Sequence, residues 1–340
     1  MTWRRKLWLA ARALVVVALA FVGVQVLQAN SAELAGATDY LSRANWGWIA
    51  LAVVAEAASY VNTTFLQRRL LLAGGLEVPL PPLAAMSLAG NAIANSLPGG
   101  GAFATVFAYR QFRRRGADEA LTTWSLIAFT SVTSVTLGVL AVIGLLVAGS
   151  DSGVPGLWLL VGLLMLAPVI GMTVLLRPRL ARPVLKPVLG WAKRLTGRPR
   201  EDPVAHVDRL ISHLEAVKPR ARDWVLCLAF AGGNWATDCL CLVMAFKAVG
   251  ATVPWRGLLV AYGAAQVAAS LPVTPGGLGV VEGSLTVALV AFGGSTVQTV
   301  AAVLLYRILS FWLVVPLGWL AWAGLNLEGR RLALKRVVAP

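Results

Sequence analysis

Four charged side chains stand inside long apolar stretches of this sequence: Glu56, Asp238, Glu282 and Arg307. A charge at that depth in a bilayer is costly unless paired or hydrated, so each is a candidate for contacting or gating a polar substrate. Arg307 can neutralise one carboxylate. The other acids then need water, a proton or a cationic group. Two structural readings compete: Glu282 and Arg307 form an ion pair that locks the fold, and Asp238 is a protonated, hydrogen-bonded carboxyl. Asn91, Asn95 and Gln266 add neutral hydrogen-bonding groups within similar apolar surroundings and complete the candidate set. No nucleophile–base pair or metal-ligand cluster accompanies them. Catalysis, a metal and a cofactor are therefore not expected. His206 and His213 lack acidic or Cys partners at ligand spacing and read as surface residues. Cys227, Cys239 and Cys241 share one apolar stretch and read as small core residues.

The elements that position these groups are interrupted. Leu271 to Glu282 reads LPVTPGGLGVVE, a hydrophobic segment broken by Pro272, Pro275, Gly276, Gly277 and Gly279. Asn95 to Ala102 reads NSLPGGGA and is broken by Pro98, Gly99, Gly100 and Gly101. Both contain Ser-Leu-Pro. Two broken hydrophobic segments in matching places of two halves are a sequence pointer to a transporter's binding site. The glycines of the second break could be mistaken for a phosphate loop, but no Gly-Lys-Ser/Thr follows and ATP is not expected there.

Hydrophobic residues make up 58% of the chain and charged residues 13%, against roughly 25% charged in a soluble domain. Several nearly uncharged stretches reach the length of about twenty residues that spans a bilayer as helix. The fold expected is a single all-α polytopic membrane domain over 1–340. The net charge of +15 does not point to nucleic acid. All of the 30 Lys and Arg except Arg43, Lys247, Arg256 and Arg307 fall in segments that this topology places inside, which is the positive-inside pattern. Leu7–Leu27 reads as a retained first helix rather than a signal peptide, and Gln28–Asn45 as a polar external loop. Residues 46–148 form a first repeat in which 79–109 enters and leaves on the cytoplasmic side. Residues 157–176 are a further span. Residues 177–222 form a basic cytoplasmic loop with amphipathic helices, suited to an anionic lipid surface. Residues 224–323 form a second repeat in which 256–292 enters and leaves on the outer side. The expectation is thus about six full spans of about twenty residues each, plus two opposed re-entrant helical hairpins in an inverted repeat, with both termini cytoplasmic.

The two broken segments, together with Tyr306-Arg-Ile-Leu-Ser-Phe-Trp312, resemble the signature of the lysylphosphatidylglycerol synthase transmembrane-region family. The resemblance covers roughly residues 10–325. It implies a bacterial plasma-membrane protein, akin to the membrane half of the multiple peptide resistance factor, a half regarded as a flippase. It carries over Glu282 and Arg307 as site positions. Glu56 and Asp238 rest on the residues alone. No aminoacyl-transferase half follows in this chain, so synthesis is not expected of it. The leading reading is a flippase for a phospholipid, glycolipid or polyprenyl-linked lipid. The alternatives are a secondary transporter of a soluble solute or ion, and an accessory membrane subunit of a lipid-modifying enzyme. Self-association into a homo-oligomer is compatible with each.

Overall fold

The computed structural model describes residues 31–97, 99–149, 166, 169–177, 211–213, 215–270 and 274–338. Regular structure among them is helical: α1 Ser31–Ser42, α2 Trp46–Ala73, α3 Leu80–Ser96, α4 Gly100–Arg114, α5 Glu119–Ala148, α6 Ala221–Ala248, α7 Trp255–Ser270, α8 Val280–Ala291, α9 Thr296–Arg307 and α10 Val314–Val338. A five-residue π-helical turn, Ile308–Trp312, joins α9 to α10. Four helices are long and apolar enough to cross a membrane: α2, α5, α6 and the continuous stretch Thr296–Leu327. They coincide with four of the expected spans. The expected spans at 7–27 and 157–176, and most of the basic loop 177–222, lie outside the described residues.

Local chemistry sets the helix ends. The Asn45 side chain accepts from the Gly47 amide at 2.9 Å and starts α2. Asp118 does the same for Leu121 at 2.7 Å and starts α5. A polar acceptor at this position satisfies an amide the first helical turn leaves without a partner. One expectation is corrected. Residues 31–42 form a helix rather than a loop, and α1 packs on α9. Gly36 makes this approach possible, since a Cβ there would come within 2.9 Å of the Val297 side chain.

The centre of the molecule is the α2–α6 pair. These helices run antiparallel. The Asn45 amide at the start of α2 donates to the Ala248 carbonyl at the end of α6 at 2.8 Å, and Arg69 near the end of α2 pairs with Asp223 near the start of α6. Midway, Ser59 and Thr63 both donate to the Asn234 side-chain oxygen at 2.8 Å. Between membrane helices such a bond contributes about 0.6 kcal/mol.

The remaining packing is reciprocal. α3 lies on α10, and α7 lies on α5. Each half therefore lends the first arm of its broken segment to the last helix of the other half. Both contacts use a glycine. A Cβ on Gly144 of α5 would stand 2.8 Å from the Val260 amide nitrogen, and one on Gly318 of α10 would strike the Leu88 carbonyl. Removing the side chain lets backbones approach closely enough for dispersion to hold them. One apolar cluster joins Leu66 and Leu70 near the end of α2 to Leu83 of α3, Phe112 of α4 and Leu121 of α5. A second joins Ala52 near the start of α2 to Phe246 of α6, Leu258 of α7 and Leu289 of α8. The outer ends of α3 and α4 thus share one end of the central pair, and those of α7 and α8 share the other.

Candidate functional site

Between the two apolar clusters lies a cavity of about 470 Å³. Residues from both halves line it, including Glu56, Asn91, Asn95, Asp238, Gln266 and Arg307. The two breaks meet at its wall. A Cβ on Gly276 would lie 3.1 Å from the Asn95 carbonyl oxygen and would run into the Phe311 ring. Gly276 has φ of 58°, in the left-handed region, so both conformation and space require glycine there. Three wall atoms are buried without a hydrogen-bond partner: Glu56 Oε2, Ser125 Oγ and Ser310 Oγ. Buried polar atoms are normally satisfied, so these three are positions for water or a polar ligand group. Thr105 on α4 and Thr130 on α5 also line the cavity and are exposed. The cavity therefore reaches the surface of the molecule at these two residues.

Asp238 is 8% exposed and heavily hydrogen-bonded. Its carboxylate accepts from Tyr262 Oη at 2.5 Å, from Gln266 Nε2 at 2.9 Å and from Tyr306 Oη at 3.1 Å. Neutral donors on three sides suit an ionised carboxylate. Glu56, on the neighbouring helix α2 and 7% exposed, lines the same cavity, and the antiparallel register of α2 and α6 brings it level with Asp238.

Arg307 sits on the same helix end as Tyr306 but faces a different acid. Its Nε donates to Glu282 Oε1 at 2.6 Å, and its Nη2 donates to the Gly276 carbonyl at 3.1 Å. The guanidinium also lies 4.4 Å from the Phe311 ring centroid, within cation–π range. Glu282 Oε2 accepts from the Gly279 amide at 2.7 Å. Both oxygens of Glu282 therefore serve the second break, and Glu282 is not among the residues lining the cavity. Arg307 does line it, with Nη1 without a protein partner among the described residues. Tyr306, Arg307, Ser310 and Phe311, two pairs each about one turn apart, all reach the cavity, and a π-turn begins directly after Arg307. Such turns are frequent at functional sites.

The structure thus gathers six of the seven candidate side chains around one cavity and sets Glu282 behind Arg307 as a brace. Asn95 Nδ2 donates to Asn91 Oδ1 at 2.7 Å, one turn apart on α3. Of the backbone-break positions, Gly101 and Gly276 line the cavity. Gly99 and Gly279 provide the positive φ at the starts of α4 and α8, 66° and 79°. Gly100 packs against the Ala94 carbonyl, and Gly277, with φ of 67°, against Ala269 and Val281. Pro275 opens the short 3₁₀ turn Pro275–Gly277. Pro98 and Pro272 lie outside the described residues. Cys227, Cys239 and Cys241 are free and buried.

Sequence reasoning missed Ser59, Thr63, Asn234, Tyr262 and Tyr306 as partners at the site. The last two carried a signal. Tyr262 and Gln266 are one turn apart on a helix, and Tyr306 adjoins the only charged residue of its span.

The described residues form helices and no strand, with four segments fit to cross a bilayer. They define a multi-pass helical membrane protein. The chain belongs to the family described as the lysylphosphatidylglycerol synthase TM region, whose model matches residues 8–318. It is also similar to a UPF0104 membrane protein of Methanothermobacter thermautotrophicus (strain Delta H), 32% identical over 85 residues. That match covers 25% of this chain and 25% of the relative.

Proposed function

We propose that this chain is a lipid translocase, moving a phospholipid, glycolipid or polyprenyl-linked lipid between leaflets of the cell membrane. The observation that carries the reading is the cavity bounded by both breaks, whose wall carries polar groups and which reaches the surface at Thr105 and Thr130. A headgroup fits against its polar wall while the acyl chains stay in hydrocarbon. Arg307 Nη1 and the unpartnered oxygens supply both signs of hydrogen-bonding partner for it. Translocation makes and breaks no covalent bond, so the proposed role is not that of an enzyme.

The packing supports the opposed hairpins read from the sequence. α3 and α4 are 17 and 15 residues long, and α7 and α8 are 16 and 12. At 1.5 Å per residue these arms reach roughly 18 to 25 Å, short of a full crossing of about 30 Å. Each pair returns to the end from which it started. The central helices of the two halves are antiparallel, as an inverted repeat requires. In this reading six spans cross the plasma membrane, both termini are cytoplasmic by the Lys/Arg bias, and the basic 177–222 loop rests on anionic lipid.

The test is reconstitution into liposomes with fluorescent lipids of several headgroups, with a radiolabelled soluble solute panel in parallel. The wild type moves at least one lipid class to the opposite leaflet, and Asp238→Asn slows it at least tenfold while remaining folded, which corresponds to about 1.4 kcal/mol at the barrier. Movement of a soluble solute with no lipid crossing would replace this reading by a secondary transporter.

A further inference from the structure

The cavity holds two carboxyl groups and one guanidinium, and the guanidinium already answers a third acid, Glu282. Glu56 and Asp238 therefore face each other without a cation of their own. The antiparallel register fixed by Asn45 with Ala248 and Ser59 with Asn234 brings Glu56 level with Asp238, both are buried at the same cavity, and two carboxyl groups placed so without a cation hold a proton between them. Asp238 accepts from Tyr262, Gln266 and Tyr306, so it is the anionic member. The proton belongs to Glu56, which lines the cavity and whose Oε2 is buried without a partner. The titratable or charged groups facing the pair are Tyr60 of α2, Cys239 and Cys241 of α6, Tyr262 of α7, and Tyr306 and Arg307 of α9. The phenols and thiols are neutral donors or acceptors and hold no competing proton in this range.

We propose that Glu56 and Asp238 form an exchangeable proton site, and that loading and unloading it couples transport through the cavity to a proton gradient. This rests on the translocase reading for what is moved, but the proton site stands on its own geometry. In the loaded state the Glu56 O–H bridges to Asp238 and clamps α2 to α6 at mid-helix. In unloading, the Glu56 O–H bond breaks and its proton passes to water in the cavity. The bonding pair stays on Glu56 as a second carboxylate. Two adjacent carboxylates repel strongly in a low-dielectric setting. The α2–α6 seam then has to part or the cavity has to admit a cationic group. The seam is the junction of the two halves, which is where a proton can bias one arrangement against the other.

Two measurements test this. The first is infrared difference spectroscopy of the purified protein across a pH titration. The wild type shows a protonated-carboxyl band that shifts in D₂O, disappears on alkalinisation and is absent in Glu56→Gln. Absence of any such band in folded wild type overturns the proton site whatever the protein transports. The second uses proteoliposomes with the membrane potential clamped by potassium and valinomycin, and a fluorescent lipid of no net charge. One proton per lipid biases the leaflet ratio by roughly tenfold per unit of imposed pH difference, in the direction set by symport or antiport. Glu56→Gln and Asp238→Asn both abolish the bias. Lipid movement that reaches an even distribution at every pH difference overturns the coupling and leaves the translocase reading intact. Absence of lipid movement under all conditions counts against the translocase reading, and the infrared titration then decides the proton site alone.

Discussion

Tyr306 and Arg307 are neighbours on α9, yet they serve two acidic sites built on opposite principles. Arg307 meets Glu282 with a full charge, and the pair holds down the Gly276 carbonyl and the Gly279 amide. Tyr306 meets Asp238 with a neutral hydroxyl, as do Tyr262 and, through its amide, Gln266. The first site is closed, with both Glu282 oxygens occupied. The second is open, with Glu56 Oε2 unpartnered beside it. A charge pair fixes backbone at a break where a short 3₁₀ turn supplies the local hydrogen bonds. A neutral donor shell stabilises an anion while leaving its charge uncancelled and available. The contrast separates a brace from a working site.

Removing the brace should do the most damage to stability. Arg307→Met leaves the half-buried Glu282 without a cation and the Gly276 carbonyl without its donor. A loss of about 1.5–3 kcal/mol is expected for removing such charge-assisted hydrogen bonds, read as a lowered unfolding midpoint in detergent. Adding Glu282→Gln should recover part of it. A Met variant as stable as wild type would show that the pair is not a brace. Gly276→Ala comes next. Its φ of 58° and its contact with Phe311 leave no room for a methyl, and strain of about 1–3 kcal/mol follows. The same thermal measurement checks it, and Gly101→Ala, with open space around its Cα, is the control. Glu56→Gln should do the least. A glutamine amide can donate to Asp238 as the protonated acid does, so stability stays within about 1 kcal/mol of wild type. A large loss at Glu56 would make it structural and erase the difference between the two sites.

Much of this was readable before any coordinates. The breaks were legible because Pro and Gly at Pro98–Gly101 and Pro272–Gly279 leave few alternatives to a helix end. Four spans were legible from their length and lack of charge. The Arg307–Glu282 pair was legible as one of a small number of ways to neutralise a membrane-embedded arginine. The α1 helix was not. Residues 31–42 carry Gly, Ser and Thr and no apolar stripe, and packing on α9 rather than propensity holds them helical. The placing of Glu56 level with Asp238 was also invisible, because it depends on the antiparallel register of α2 against α6. Neither helix specifies that register alone. It is set between them, by Asn234 with Ser59 and Thr63 and by Gly233 against Asn62.

The central claim is that a lipid headgroup travels through this cavity by its opening at Thr105 and Thr130. The direct measurement is transport of a labelled lipid in proteoliposomes after a single cysteine is placed at Thr105 on the rim and reacted with a bulky maleimide. The three native cysteines are buried, and a cysteine at Val287, on α8 and 71% exposed, is the control. Modification at Thr105 should stop lipid movement, and modification at Val287 should leave it unchanged. Lipid crossing at the full rate with Thr105→Cys completely modified would contradict the account.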